Sequence, residues 1–228
     1  MHNFFKSPFF LLIIFFSYPA SSHVEHYEKL NSINFDIYRN NDRIGQHVFT
    51  FEKKDDLLFV NSEITFEIKK FGVVFYKYHV KGTEIYKNGH LVKFNSKTKQ
   101  NKKDKYANIE LTSNDEYLID GSSFKGKAPK EYVIGTWWNH SIVKSNAQIS
   151  AVSGRIINQK VTFLGKENIV IDGKTYKSLH FNFSSTDKKL DKDKKLNTDV
   201  WYEEKTLNWI KASFNKKGKW EYRLISTK

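Results

Sequence analysis

The stretch Leu58-Phe59-Val60-Asn61-Ser62-Glu63-Ile64-Thr65-Phe66-Glu67-Ile68 repeats with a period of two. Successive side chains of an extended chain point to opposite sides. Leu58, Val60, Ser62, Ile64, Phe66 and Ile68 therefore share one face, and Asn61, Glu63, Thr65 and Glu67 take the other. A period of 3.6 is absent, so the stretch reads as a half-buried strand. The same alternation runs through Val92, Phe94, Ser96 and Thr98, through Ala107, Ile109 and Leu111, and through Leu179, Phe181 and Phe183. Turn signals separate these runs: Asn40-Asn41-Asp42, Lys54-Asp55-Asp56, Lys87-Asn88-Gly89, Asn114-Asp115, Asp120-Gly121, Asp172-Gly173 and Lys217-Gly218. Their spacing is that of an antiparallel meander.

The last hairpin specifies its own register. Ile210, Ala212 and Phe214 share a face with Trp220, Tyr222 and Leu224 across the Asn215–Gly218 turn, while Lys211, Ser213, Glu221 and Arg223 face water. The best helical candidate is short, Trp138 to Asn146, with Asn139 as cap and Ile142 and Val143 to pack. The expected class is all-β: an antiparallel meander forming a curved half-barrel or a closed barrel, with one short helix.

Of the 228 residues, Met1–Lys6 carries one positive charge, Phe9–Phe16 is apolar throughout, and Ser17–Ser22 is rich in small residues. That order is a secretory signal peptide over residues 1–22, cleaved before His23. Its apolar run falls short of the roughly 20 residues a spanning helix needs. The expectation is a periplasmic protein with a single β domain over residues 23–228. The Lys/Asp stretch from Asp187 to Lys195 is read as a solvated loop, because strands resume on both sides.

With 5 Trp, 12 Tyr and 19 Phe the chain is too aromatic to be disordered. The lack of cysteine excludes thiol catalysis, iron–sulfur clusters and cysteine zinc sites. A net charge of +13 favours anionic partners, and Lys97, Lys99, Lys102, Lys103 and Lys105 form a basic run. Nucleic acid is not expected, because only Arg39, Arg43, Arg155 and Arg223 are available for bidentate recognition. Peripheral contact with an anionic membrane surface stays open. No Gly-x-Ser-x-Gly, phosphate loop or His-Glu-x-x-His occurs, and the acid pairs Asp55-Asp56 and Glu203-Glu204 fall in turns. Asp187, Asp191 and Asp193 lack the glycine and glutamate of a calcium loop. No catalytic residue, metal ligand or cofactor is assigned.

Phe35-x-Ile37-Tyr38-Arg39-Asn40 with Arg43-Ile44-Gly45, Gly82-Thr83-Glu84 with Asn88-Gly89, Thr136-Trp137-Trp138-Asn139, and Asp199-x-Trp201-Tyr202 with Tyr222-Arg223-Leu224 carry a resemblance. In this order they resemble an uncharacterised family of secreted proteobacterial proteins, domain of unknown function 6134. The resemblance implies a Gram-negative envelope location and a meander-like β fold, and it implies no activity. At the level of fold alone, the pattern is similar to lipoprotein carriers with an open half-barrel around an apolar groove.

Adjacent Trp137 and Trp138 admit two readings: one fills the core while the other lines a groove, or their indoles plug the barrel. Tyr76, Tyr78, Trp137, Trp138, Trp201 and Tyr202 are the candidate ligand-binding residues. The corresponding function is a periplasmic protein holding an apolar or amphipathic ligand such as a lipid, with lysines such as Lys77, Lys81 and Lys93 at the rim. The alternatives are an enzyme acting on an envelope component and a structural or partner-binding envelope protein.

Overall fold

The computed structural model describes Tyr27, residues 29–191 and residues 194–228. The expected signal segment and Lys192-Asp193 of the lysine-rich loop lie outside the described residues. The chain forms β1 (Ser32–Arg39), β2 (Asp42–Lys54), β3 (Leu57–Lys70), β4 (Val73–Lys87), β5 (His90–Gln100), β6 (Lys103–Leu111), β7 (Glu116–Gly121) and β8 (Lys125–Pro129). After a crossing segment come β9 (Val133–Ile134), a 3-10 turn at His140–Lys144, β10 (Ala147–Ile149), β11 (Ile156–Ile171), β12 (Lys174–Ser185), β13 (Asn197–Glu203), β14 (Trp209–Asn215) and β15 (Lys219–Thr227).

All fifteen strands lie in one sheet, in the order β8-β7-β6-β5-β4-β3-β2-β1-β15-β14-β13-β12-β11-β10-β9. The sheet is therefore a meander broken once and stitched once. The stitch is β1 against β15, with Phe35 opposite Leu224 and Ile37 opposite Tyr222. The break falls between β8 and β9, which occupy the two edges, so the sheet is curved but does not close. β9 and β10 are the parallel pair.

The alternation read from the sequence sets which face is buried. His47, Phe49 and Phe51 of β2, Leu58, Val60 and Phe66 of β3, and Phe94 of β5 point into the concave side. In the last hairpin Ala212 faces Tyr222 and Phe214 faces Trp220, as expected, while Lys211 faces Arg223. Asn40, Asp55, Asn88, Asn101, Asp172 and Lys217 take positive φ in their tight turns. Asp120-Gly121, expected as a turn, instead ends β7. A side chain at Gly121 would sit 2.4 Å from the Ser153 carbonyl, so this glycine serves a close approach between the two sheet margins. The expected helix is a single 3-10 turn. The Asn139 side chain accepts from Ser141 N (3.0 Å) at its start, and Ser145 Oγ donates to Ala147 O (2.6 Å) where the chain straightens into β10.

Candidate functional site

The concave face is filled by its own chain. Following β9, Thr136-Trp137-Trp138-Asn139 leads into the 3-10 turn and packs against strands from both halves of the sheet. Trp138 is fully buried, with its ring edge-on to Tyr27 (5.0 Å) and Tyr86 (5.5 Å). Trp137 sits in the left-handed backbone region (φ 62°) and contacts Trp209, Phe214 and Tyr222. The strain of that conformation is of order 1 kcal/mol, and the surrounding contacts hold it.

Glu84 fastens this plug. Its Oε1 accepts from Trp138 Nε1 (2.8 Å) and Thr136 Oγ1 (2.9 Å), and its Oε2 from Tyr86 Oη (2.6 Å). Burial pushes the Glu84 carboxyl above the usual range, against the three donors that hold it down. Tyr27 Oη donates to the Trp138 carbonyl (2.5 Å) and Tyr202 Oη to the Trp137 carbonyl (2.9 Å). The plug reading therefore describes both tryptophans.

The other candidate residues divide. Tyr76 and Tyr78 are half-buried and stack on Phe66 at 5.9 and 4.7 Å. Phe66 reaches Trp137 through Trp220 and Phe214, so these tyrosines join the seam that the plug ends. Tyr202 is fully buried beneath the plug. Trp201 lies on the opposite face, stacked on His180 (4.2 Å) with its Nε1 donating to Glu167 (2.6 Å).

A cavity of about 1110 Å³ opens on the outward face of β2 to β6. Asn61, Glu63, His79, Lys81, Thr83, Asn95, Lys97, Lys99, Tyr106 and Asn108 are among its lining residues. The floor is a polar ladder: Thr83 Oγ1 donates to Asn61 (2.7 Å) and Asn95 Nδ2 to Asn108 (2.9 Å). Glu63 lies 2.7 Å from His79 Nε2 and 3.4 Å from Lys81 Nζ. The hydrogen bond from His79 and then that from Lys81 hold its carboxyl below the usual value, against its desolvation. Lys77 pairs with Glu67 (3.0 Å) and Lys93 with Glu110 (2.5 Å), so the lysines expected at an interior mouth stand on the outward face. Among the described residues Lys97 and Lys99 have no ion-pair partner, and they project from adjacent turns of the pleat on β5.

Sequence reading missed this groove because it read the outward positions as a wet face. The available signal was compositional. Across β3 to β6 the central outward positions are amides and a hydroxyl, Asn61, Thr83, Asn95 and Asn108, where a merely solvated sheet would carry long charged side chains.

Fold and geometry together define a β-barrel-like protein with an open sheet, a plugged concave side and a polar groove on its back. The chain belongs to the family described as Domain of unknown function (DUF6134), whose sequence model matches residues 35–225. Among solved structures it is similar to a crystal structure described as a beta-barrel-like protein of domain of unknown function DUF1849 from Brucella abortus. The TM-score is 0.58 at 9% identity, covering 86% of this chain and 96% of that one. That likeness concerns the fold. No curated protein matches the chain.

Proposed function

We propose that this is a secreted envelope protein that binds an anionic, hydroxyl-bearing ligand in the groove across β2 to β6. The observation that carries the reading is the pairing of Lys97 and Lys99, free of ion pairs among the described residues, with a floor of amides and hydroxyls. Unpaired ammonium groups attract a phosphate or carboxylate, and the amides supply both donors and acceptors to neighbouring hydroxyls. An amphipathic envelope ligand would use its head group here, since the concave side is occupied by Trp138, Trp209 and Phe35. Heparin serves as the anionic polysaccharide probe. Lys97→Glu with Lys99→Glu is expected to weaken its binding by about tenfold or more at low salt, following the loss and inversion of two charges. Undiminished heparin binding by that variant refutes the reading. Secretion rests on residues 1–22, and N-terminal sequencing of periplasmic protein is expected to begin at or near His23.

A further inference from the structure

We infer that the tip of the β3–β4 hairpin docks on an anionic lipid bilayer. Three large apolar residues lie within five positions there, and all are open to solvent: Phe71 is 93% exposed, Val73 70% and Phe75 75%. Such a cluster on a folded surface marks a contact, because nothing among the described residues shields it. The turn sharpens the point. Phe71 takes φ 51°, the left-handed conformation that the neighbouring hairpins give to Asn40, Asn88 and Asn101. Asparagine adopts it readily and phenylalanine does not. An aromatic ring thus stands where both backbone preference and water disfavour it, which an apolar phase outside the protein would offset.

Charge identifies that phase. Lys69 and Lys70 flank the ring, and Lys70 Nζ lies 5.5 Å from its centroid. The β5–β6 turn is tied to the hairpin, with Asn101 N donating to Lys77 O (2.9 Å) and Lys77 N to Asn101 Oδ1 (2.7 Å). That turn brings the exposed Lys102 and Lys103 alongside. An apolar tip inside a lysine collar matches a membrane interface, where aromatic rings enter the acyl boundary and lysines meet anionic head groups. A second copy of this chain would instead bring one lysine collar against another.

The inference is independent of the groove's ligand, and its test separates the two. Vesicles of equal parts phosphatidylglycerol and phosphatidylcholine are expected to carry the protein in flotation, and phosphatidylcholine alone is not. Phe71→Asn is expected to keep or raise the melting temperature, because Asn suits the turn, while lowering vesicle binding by roughly tenfold or more. The same variant should bind heparin as the parent does. Because the chain has no cysteine, Val73→Cys can carry a polarity-sensitive dye, whose emission should shift to the blue on the anionic vesicles. Flotation by Phe71→Asn equal to the parent's, a dye insensitive to vesicles, or a dimer lost in Phe71→Asn without vesicle binding would each overturn the inference. Heparin binding without flotation would overturn it and leave the groove reading standing.

Discussion

Removing the Glu84 carboxylate should release the plug, and the size of the loss follows from what it holds. Glu84→Ala strips the acceptor from Trp138 Nε1, which is buried beside it, and from the hydroxyls of Thr136 and Tyr86. One buried donor left without a partner costs about 1 to 3 kcal/mol, and the emptied volume adds a cavity. The hydroxyls recover part of this by turning to other acceptors, so the expected loss is roughly 3 to 5 kcal/mol. Glu84→Gln should be far milder. Its amide oxygen faces Trp138 and Thr136, and its N–H can donate to the Tyr86 hydroxyl. The pair also carries a pH signature. Burial raises the folded carboxyl above the ordinary value of 4.5, so folding takes up a proton. The stability that this linkage contributes is complete below about 4.5 and is lost as pH rises through the raised folded value. Glu84→Gln removes that decline. Urea titrations followed by tryptophan fluorescence, repeated from acid to neutral pH, measure both effects. A Glu84→Ala loss below about 1 kcal/mol would refute the claim that this carboxyl fastens the Thr136-Trp137-Trp138-Asn139 plug.

His47 gives the opposite slope: burial lowers it from 6.5 to about 3, so stability should fall as pH drops through that interval, by about 5 kcal/mol at most, and His47→Phe should flatten the loss in acid urea titrations. Phe214→Ala is expected to cost about 2 to 3 kcal/mol, because the ring is half-buried against Trp220, whereas Lys211→Ala should cost under about 1 kcal/mol. Equal melting shifts for that pair would mean the hairpin faces are misassigned. Gly45→Ala places a methyl 2.0 Å from the Thr65 carbonyl, and a thermal melt should show a loss of about 2 kcal/mol or more as β2 and β3 separate.

Strands with one wet face were legible because their period is the period of the backbone itself. Leu58 to Ile68 needed no tertiary information for its faces to be assigned, whereas in the last hairpin Glu221, read as facing water, is buried where Lys219 and Arg223 pair with it. Whether the barrel closes was not legible, since closure depends on where the β8–β9 connection runs. Beyond β9, the seat of the plug is decided by long-range contacts: Trp138 to Glu84 is a bond across 54 positions, and Tyr27 to Trp138 spans 111. Glu84 itself read as one polar residue in an alternating strand, and only its three converging donors distinguish it. Trp201 was grouped with the interior aromatics because an indole next to Tyr202 carries no mark of which face it takes. In the structure the strict alternation puts Tyr202 inside and Trp201 out, against His180.

The same contacts decide where a ligand can act. Admitting an acyl chain to the concave side means displacing Trp137 and Trp138 together, with the bonds to Glu84, Tyr27 and Tyr202 breaking at once. Three hydrogen bonds at about 1 kcal/mol each and two indoles at about 3 kcal/mol each put that opening on the order of 9 kcal/mol. This equals the whole stability of an ordinary domain, roughly 5 to 15 kcal/mol. An interior ligand would therefore have to bind the opened form with intrinsic affinity near the micromolar range merely to balance the displacement. The outward groove and the β3–β4 tip require no such opening, since Lys97, Lys99, Phe71 and Phe75 already face solvent. A chain that fills its own concave side leaves its back and its rim as the surfaces on which binding can occur without unfolding it.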